Sequence, residues 1–270
     1  MSKQDIHYSP RRIGAIVLRH LYLMRTSWPR VLEMVYWPTV QMVLWGFITL
    51  FLKENSHYVA QAAGILLSAV LLWDVLFRSQ LGIALVFMEE MWSRNLGHLF
   101  VSPLRPYEMV SALIVMSLIR TLIGIGGAAL VAIPLFDYNI FDMGLPLIAF
   151  FFNLIAMGWA VGLLVSGIVL RYGLGAESVA WIAVFAIQPL CAIYYPVATL
   201  PHWLQPVAWA LPASHVFEGM RELLLHGTFN MHYLVNAMLL NILYLGGGIA
   251  AFLGYFRAAR RRGLLLQIGE

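Results

Sequence analysis

Met88-Glu-Glu-Met-Trp-Ser-Arg-Asn-Leu-Gly-His-Leu-Phe-Val-Ser-Pro-Leu-Arg-Pro-Tyr107 is a polar stretch between two long apolar runs. Its apolar residues recur at three- and four-residue steps, which is typical of one face of a helix. Pro103 and Pro106 would end that helix, because proline lacks an N–H donor and restricts the residue before it. The stretch therefore predicts a short amphipathic helix at a membrane surface, followed by a rigid turn and suited to docking on a partner. The apolar stripe would hold Met88, Met91, Trp92, Leu96, Leu99 and Phe100, opposite Glu89, Glu90, Ser93, Arg94 and His98.

The composition places the chain in a membrane. Hydrophobic residues make up 61% of the sequence and charged residues 11%, whereas soluble domains carry about 25% charged residues. An integral membrane protein is predicted, and a length of 270 residues favours a single membrane domain over residues 1–270. The one cysteine, Cys191, excludes an internal disulfide. The N-terminus lacks an immediate apolar segment, so we expect no cleaved signal peptide.

Six apolar runs are close to the roughly 20 residues that a helix needs to cross the hydrocarbon of a bilayer. They predict an all-α fold with six transmembrane helices. The runs cover residues 31–52, 60–87, 110–135, 145–170, 178–195 and 233–256.

The cationic residues predict the orientation. An even number of spans puts both termini on one side, and the side richer in Lys and Arg is the cytoplasmic one. With the N-terminus inside, the cytoplasmic segments carry 13 cationic residues and the outer segments only Lys53 and Arg221. Both termini and residues 88–107 are therefore expected in the cytoplasm. The 13 are Lys3, Arg11, Arg12, Arg19, Arg25, Arg30, Arg94, Arg105, Arg171, Arg257, Arg260, Arg261 and Arg262.

Two further segments differ from the spans. Residues 1–30 interleave basic and apolar residues at helical spacing, which indicates a helix lying in the cytoplasmic interface. Residues 196–232 hold four prolines and two tryptophans and predict two short helices, one from Thr199 and one over residues 214–225 that Gly227 ends. We expect both to be half-inserted from the outer side as a re-entrant pair, covered by protein or lining a cavity.

Three charged residues fall deep inside predicted spans, where each costs about 2.5–3.5 kcal/mol at mid-bilayer. Asp74 and Arg78 have the spacing of a helical ion pair and either neutralise each other or line a path. Arg120 has no acid near it in sequence, so it snorkels, pairs with Asp74 across helices, or faces a wet cavity. On the second outer helix, Glu218 and Arg221 form either a solvated face or a gate.

The sequence carries no enzyme signature. It has no Gly-x4-Gly-Lys-Ser/Thr phosphate loop, so any ATP must be bound by another chain. The eight histidines lie mostly outside the spans, which argues against a membrane haem, and a metal cluster is equally unsupported. The basic excess is a topology signal in a membrane protein, and no nucleic-acid partner is expected.

These segments together resemble the permease subunit of type-2 ABC exporters, a family of polysaccharide, nodulation-factor, lipid and drug exporters. Residues 94–106, Arg-Asn-Leu-Gly-His-Leu-Phe-Val-Ser-Pro-Leu-Arg-Pro, are similar to the coupling segment of that family. Tyr194-Tyr-Pro, Leu200-Pro-His-Trp-Leu204 and Leu211-Pro-Ala-Ser-His215, together with Arg221, are similar to its outer re-entrant segment. The resemblance divides the chain into an interfacial helix (1–30), a coupling segment (88–107) and a re-entrant segment (196–232).

The resemblance implies a mechanism and partners. The permease would work in the inner membrane as a dimer, and a homodimer is expected. It would associate with two cytoplasmic ATPase subunits that hold ATP and Mg. It would have no cofactor of its own, and it would move a lipid, a lipid-linked glycan or a drug outward. The coupling residues would be Glu89, Glu90, Trp92, Arg94, Leu99, Phe100, Pro103, Leu104 and Arg105. Path or gate residues would be Asp74, Arg78, Arg120, Pro212, His215, Glu218 and Arg221.

Two other classes compete with an ATP-driven exporter. A gradient-driven secondary transporter or lipid scramblase would often show inverted repeats and helices broken near mid-membrane, and no repeat is visible here. A passive membrane anchor for an enzyme complex would explain the docking helix but not the charges within the spans. The sequence does not distinguish among lipid, lipid-linked glycan and drug substrates.

Overall fold

The computed structural model describes residues 9–55 and 59–262, and within those ranges all regular structure is helical. The first half of the chain contains α1 (Pro10–Arg25), α2 (Trp28–Asn55), α3 (Val59–Trp92), α4 (Leu96–Val101) and α5 (Pro106–Phe136). The second half contains α6 (Leu145–Tyr172), α7 (Ser178–Ile187), α8 (Gln205–Trp209), α9 (Pro212–His226) and α10 (Met231–Arg262). Short 3₁₀ segments lie between some of these helices.

Five of the described helices are long and apolar enough to cross a membrane: α2, α3, α5, α6 and α10. Their apolar portions run over Trp28–Phe51, Gly64–Trp92, Pro106–Phe136, Leu145–Tyr172 and Met231–Arg261. The prediction of an all-α membrane protein is confirmed.

The fifth predicted span is shorter than expected. Its apolar helical part is Ser178–Cys191, about 21 Å at 1.5 Å per residue, against a hydrocarbon core of about 30 Å. The α-helix ends at Ile187, tightens into a 3₁₀ turn that contains Pro189, and stops at Ala192, whose φ is 51°. The structure does not confirm the count of six spans.

The outer segment agrees with the sequence in its second half only. The predicted helix over residues 214–225 is α9, which has Pro212 in its first turn and ends at Gly227 with φ of 69°. The helix predicted from Thr199 is wrong, because Val197–Thr199 is a single 3₁₀ turn and α8 begins only at Gln205.

The core is organised around α3, which packs against α2, α5 and α6, while α10 covers the other side of α6. Small residues allow this close approach. A methyl group at Gly158 or at Gly162 would lie 2.7 Å from a backbone carbonyl oxygen of α3. Both positions on α6 therefore require glycine.

The N-terminal segment forms a helix, as predicted, over Pro10–Arg25, and residues 1–8 of the predicted interfacial segment lie outside the described residues. Ile13 and Met24 of α1 are buried, whereas Leu18 and Tyr22 are exposed. The helix is thus amphipathic, with its buried face on the bundle.

Candidate functional site

The sequence predicted one short amphipathic helix within residues 88–107, but the structure has two separate helical segments there. The long helix α3 continues to Trp92, a turn over residues 93–95 interrupts the helix, and α4 is a separate helix of 6 residues. Arg94 occupies the left-handed region with φ of 53°. Asn95 stabilises this turn, because its backbone N–H and its side-chain amide donate to the backbone oxygen and the carboxylate of Glu90, at 3.0 and 2.7 Å.

Glu90 joins three helical segments. The sequence places it on the polar side of the predicted amphipathic helix, but it is 2% exposed. Arg19 of α1 donates to both carboxylate oxygens at 2.6 and 2.8 Å, and His20 Nε2 lies 3.0 Å from Oε1. With Asn95 on its other side, Glu90 connects α1, the end of α3 and the turn before α4.

Glu108 makes a second junction at the start of α5. Its carboxylate accepts the backbone N–H of Ser9 at 2.9 Å, the backbone N–H of Arg105 at 3.0 Å and the guanidinium of Arg12 at 2.6–3.1 Å. The sequence reasoning missed this residue, although Pro106 followed two positions later by Glu108 is a helix-start signal. Burial of Glu108 is tolerated because each carboxylate oxygen is hydrogen-bonded.

We call α1, the 93–95 turn, α4 and residues 102–105 the platform. Its predicted apolar stripe is divided between the protein's own core and the surface. Met88 and Leu96 are buried, and Leu99 and Leu104 are half-buried against that core. Val101, which the sequence reasoning missed, is 90% exposed.

The remaining predicted coupling residues lie around that point. Arg94 and Pro103 are exposed, and Arg105 is half-buried, with its guanidinium donating to the Tyr107 hydroxyl at 2.9 Å. The side chain of Phe100 lies outside the described residues. Around α4 the exposed apolar side chain is therefore Val101, whereas Leu99 packs against the core.

A groove of about 660 Å³ lies beside α3, between α2 and α7. Its volume falls in the range of about 300–1,000 Å³ that small-molecule sites occupy. Rings and charged groups alternate along it. Its lining includes Arg30, Glu33, Trp37, Phe77, Arg78, Glu89, Trp92, Arg120, Trp181 and Phe185.

Arg120 meets an acid that the sequence did not suggest. Its Nη2 donates to both carboxylate oxygens of Glu89, at 3.0 and 3.1 Å. Side chains tilt toward the N-terminus of their helix. Because α3 and α5 are consecutive long helices joined by a short connection and run in opposite directions, the two side chains approach each other. Arg120 is 9% exposed and its ion-pair partner is Glu89, while Asp74 pairs with Arg78, so the predicted alternative of pairing with Asp74 is wrong.

Asp74 and Arg78 form the predicted pair, but loosely. Arg78 Nε lies 3.6 Å from Asp74 Oδ2, which is an ion pair and is too long for a hydrogen bond. Asp74 is 1% exposed, and Arg78 separates it from the groove that Arg78 lines. The stem of Arg78 lies against Gly124, where a methyl group would come within 3.2 Å of Arg78 Cδ.

The predicted gate residues Glu218 and Arg221 bind the backbone just after the helix that ends at Ala192. Arg221 is paired with Glu218 at 3.1 Å and donates to the carbonyls of Ala192 and Ile193 at 2.9 and 3.1 Å. Glu218 in turn accepts the backbone N–H of Val197 at 2.6 Å. The interpretation of this pair as a solvated face is wrong, because Arg221 is 7% exposed.

Pro212 and His215 support the same region. Pro212 is buried in the first turn of α9, and His215 Nε2 lies 2.9 Å from the Trp209 carbonyl. That oxygen can only accept, so the ring nitrogen donates. Burial lowers the pKa of His215 below its ordinary value of 6.5.

One aromatic contact that the sequence did not indicate lies beyond the end of the groove. Trp45, four residues past the groove residue Gln41 on α2, stacks on Tyr194 with ring centroids 4.7 Å apart. Tyr194 follows the break at Ala192, so this contact joins α2 to the outer segment.

These features define an integral membrane protein: a bundle of long apolar helices, an amphipathic groove, and a polar platform at one end. The pattern of the ABC-2 type transporter family matches residues 13–225, which include the groove, most of the platform and most of the outer segment. The chain belongs to this family. A comparison with curated proteins found no match.

Proposed function

We propose that this chain is the membrane subunit of an ATP-driven exporter that moves an amphipathic substrate outward across the inner membrane. The observation that carries the proposal is the platform. Glu90 attaches it to α3 and Glu108 attaches it to α5, while the apolar side chain of Val101 is left 90% exposed. Such a unit can receive force from a soluble partner and pass it to both helices.

The proposed partner is a pair of cytoplasmic ATPase subunits, which would hold ATP and Mg. Membership of the ABC-2 type transporter family supports this pairing. The cationic residues support a cytoplasmic platform, since Arg12, Arg19, Arg94 and Arg105 all belong to it. Under the positive-inside rule such segments remain on the cytoplasmic side.

The groove supports an amphipathic substrate. It combines exposed rings, such as Trp37 and Phe185, with the charged side chains of Arg78 and Glu89. A purely polar solute would leave the rings without a partner, and a purely apolar one would leave the charges unsolvated. A lipid, a lipid-linked glycan and an amphipathic drug all meet this requirement.

We further propose a homodimer. Only 22% of the residues in the most apolar stretch of α2 are buried. The same helix exposes Tyr36, Leu44, Phe47 and Phe51. A second copy facing this side would enclose the two grooves in one cavity. Native mass spectrometry of the complex with its ATPase should give two permeases, and a mass with one permease would contradict the dimer.

The decisive experiment reconstitutes the chain in proteoliposomes with its cognate ATPase. We expect amphiphile movement that requires ATP and stops with a non-hydrolysable analogue. The competing function, a gradient-driven transporter or scramblase, predicts movement without the ATPase, driven by an ion gradient or by the lipid gradient alone. Empty liposomes and liposomes with the ATPase alone provide the background.

A further inference from the structure

The groove contains hydrogen-bond donors without partners. Among the described residues, Nε and Nη2 of Arg78 and Nε of Arg120 are buried and donate to no acceptor within hydrogen-bonding distance. The arginine stems are held in place, Arg78 by Gly124 and Arg120 by its Nη2 bonds to Glu89. Buried guanidinium N–H groups left in this state are costly unless something accepts from them.

The acids near these donors are already engaged or lie elsewhere. Glu89 is paired with Arg120, and Arg30 Nη1 also lies 4.0 Å from Glu89 Oε1. Asp74 is buried behind Arg78 and too far from it for a hydrogen bond. Glu33 is exposed at the side of the groove. The three arginines and three acids balance in formal charge, but the unsatisfied groups of Arg78 and Arg120, two arginines that line the groove, can only donate.

A ligand that fits must therefore supply acceptor oxygens at the arginines and an apolar portion for the rings. Phe77, Trp181 and Phe185 form a ring cluster with centroid separations of 5.9–6.5 Å. This cluster lines the same groove as the two arginines. Anionic oxygens are the best acceptors for guanidinium groups, because charge-assisted bonds are about twice as strong as neutral ones.

We propose that the groove binds an amphiphile through an anionic headgroup, with phosphate or carboxylate oxygens at Arg78 and Arg120 and the apolar chain along Phe77, Trp181 and Phe185. The inference rests on the proposed transport function, since it names the class of substrate for the same site. Asp74 then lowers the affinity of the groove for the amphiphile, because its negative charge competes with the headgroup for Arg78.

The test uses the full chain in nanodiscs of zwitterionic lipid. A twelve-carbon alkyl phosphate with a photoreactive diazirine is crosslinked, and the modified peptides are mapped by mass spectrometry. Unlabelled competitors of the same chain length carry a phosphate, a carboxylate, a maltoside or a trimethylammonium headgroup. We expect crosslinks to peptides containing Trp37 or Trp181, and competition by the two anionic amphiphiles only.

Variants give the proposal a sign. Arg78→Gln and Arg120→Gln should each weaken binding of the alkyl phosphate by about tenfold or more, whereas Asp74→Asn should strengthen it. Arg171→Gln, an exposed arginine at the end of α6, should leave binding unchanged. If Arg78→Gln fails to fold, the double variant Asp74→Asn with Arg78→Gln removes both charges of the pair and should still lose binding.

The outcomes separate the two proposals. Equal competition by maltoside or trimethylammonium amphiphiles, or unchanged binding in the arginine variants, overturns the anionic headgroup and leaves export intact. Anion-selective binding without ATP-dependent movement in proteoliposomes supports the headgroup and overturns export. Weaker binding in Asp74→Asn overturns the competition between that carboxylate and the headgroup.

Discussion

The guanidinium of Arg221 donates to the carbonyl oxygen of Ala192 at 2.9 Å, from a position twenty-nine residues further along the chain. Ala192 is the left-handed residue that ends the 3₁₀ turn after α7. The carbonyls at such an end have no partner within the helix, and Arg221 satisfies that of Ala192 and the next one. This side chain therefore makes a broken helix compatible with burial.

We expect Arg221→Ala to be strongly destabilising, by roughly 3–5 kcal/mol, because it leaves Glu218 as an uncompensated, largely buried charge. Glu218→Ala should also impair folding and transport, and the double variant should be less than additive because the two residues act as a unit. Thermal unfolding in detergent and ATP-driven transport measure both effects.

Glu222→Ala is the matched control on the same helix, since Glu222 contacts only Thr228 and Asn230 at 3.2–3.5 Å among the described residues. It should change stability by less than about 1 kcal/mol. Wild-type stability and transport in both Arg221→Ala and Glu218→Ala would refute the role assigned to this pair.

Glu90→Gln should weaken the attachment of the platform to α3. The amide keeps the shape of the carboxylate but loses its charge, so the charge-assisted bonds from Arg19 become neutral acceptor bonds at a cost of about 1–2 kcal/mol. We expect reduced transport per ATP hydrolysed, measured in proteoliposomes. Asp137→Asn, an exposed acid at the far end of α5, should be neutral, and an unaltered transport-to-hydrolysis ratio in Glu90→Gln would contradict the prediction.

Val101→Asp and Leu99→Asp should fail in different ways. Val101 is 90% exposed, so the aspartate should leave the permease folded but reduce co-purification of the ATPase. Leu99 packs on the core, where an unpaired charge lowers stability, so that variant should express poorly. Full ATPase binding and transport by well-expressed Val101→Asp would remove Val101 from the partner surface.

Mild acid should destabilise the outer segment through His215. Its pKa is lowered by burial and by His232, while the Trp209 carbonyl and Glu218 oppose the shift. As the pH falls, the imidazole is therefore protonated in the unfolded chain at a higher pH than in the folded one. The contribution of His215 to the free energy of unfolding is fully present above pH 6.5 and declines as the pH falls below it. The melting temperature of His215→Gln should lack this component, and an identical pH profile in both proteins would exclude it.

Local patterns predicted the long helices, α9 and the Asp74–Arg78 pair, because each depends on residues close together in sequence. The distinction between Glu89 and Glu90 could not be predicted. The two are adjacent, and only Arg120 and Arg19, on other helices, decide that one lines the groove and the other is buried. The division of 88–107 into two helices likewise depends on Asn95 binding Glu90.

The burial of Arg221 was hidden for a similar reason. Its spacing from Glu218 is compatible with a surface ion pair. Arg221 also donates to two backbone carbonyls at the helix end near Ala192, and the apolar run 178–195 does not reveal that end. Residues 178–195 read as an uninterrupted span, because hydropathy does not register the left-handed turn at Ala192.

The stacked rings of Trp45 and Tyr194 have a consequence for the resting protein. Separating an aromatic pair costs only about 0.5–1.5 kcal/mol beyond the buried area, which is at most a few times thermal energy. The rings alone would therefore part and re-form too often to seal a membrane. Any tighter closure between α2 and the outer segment must therefore come from contacts other than these two rings.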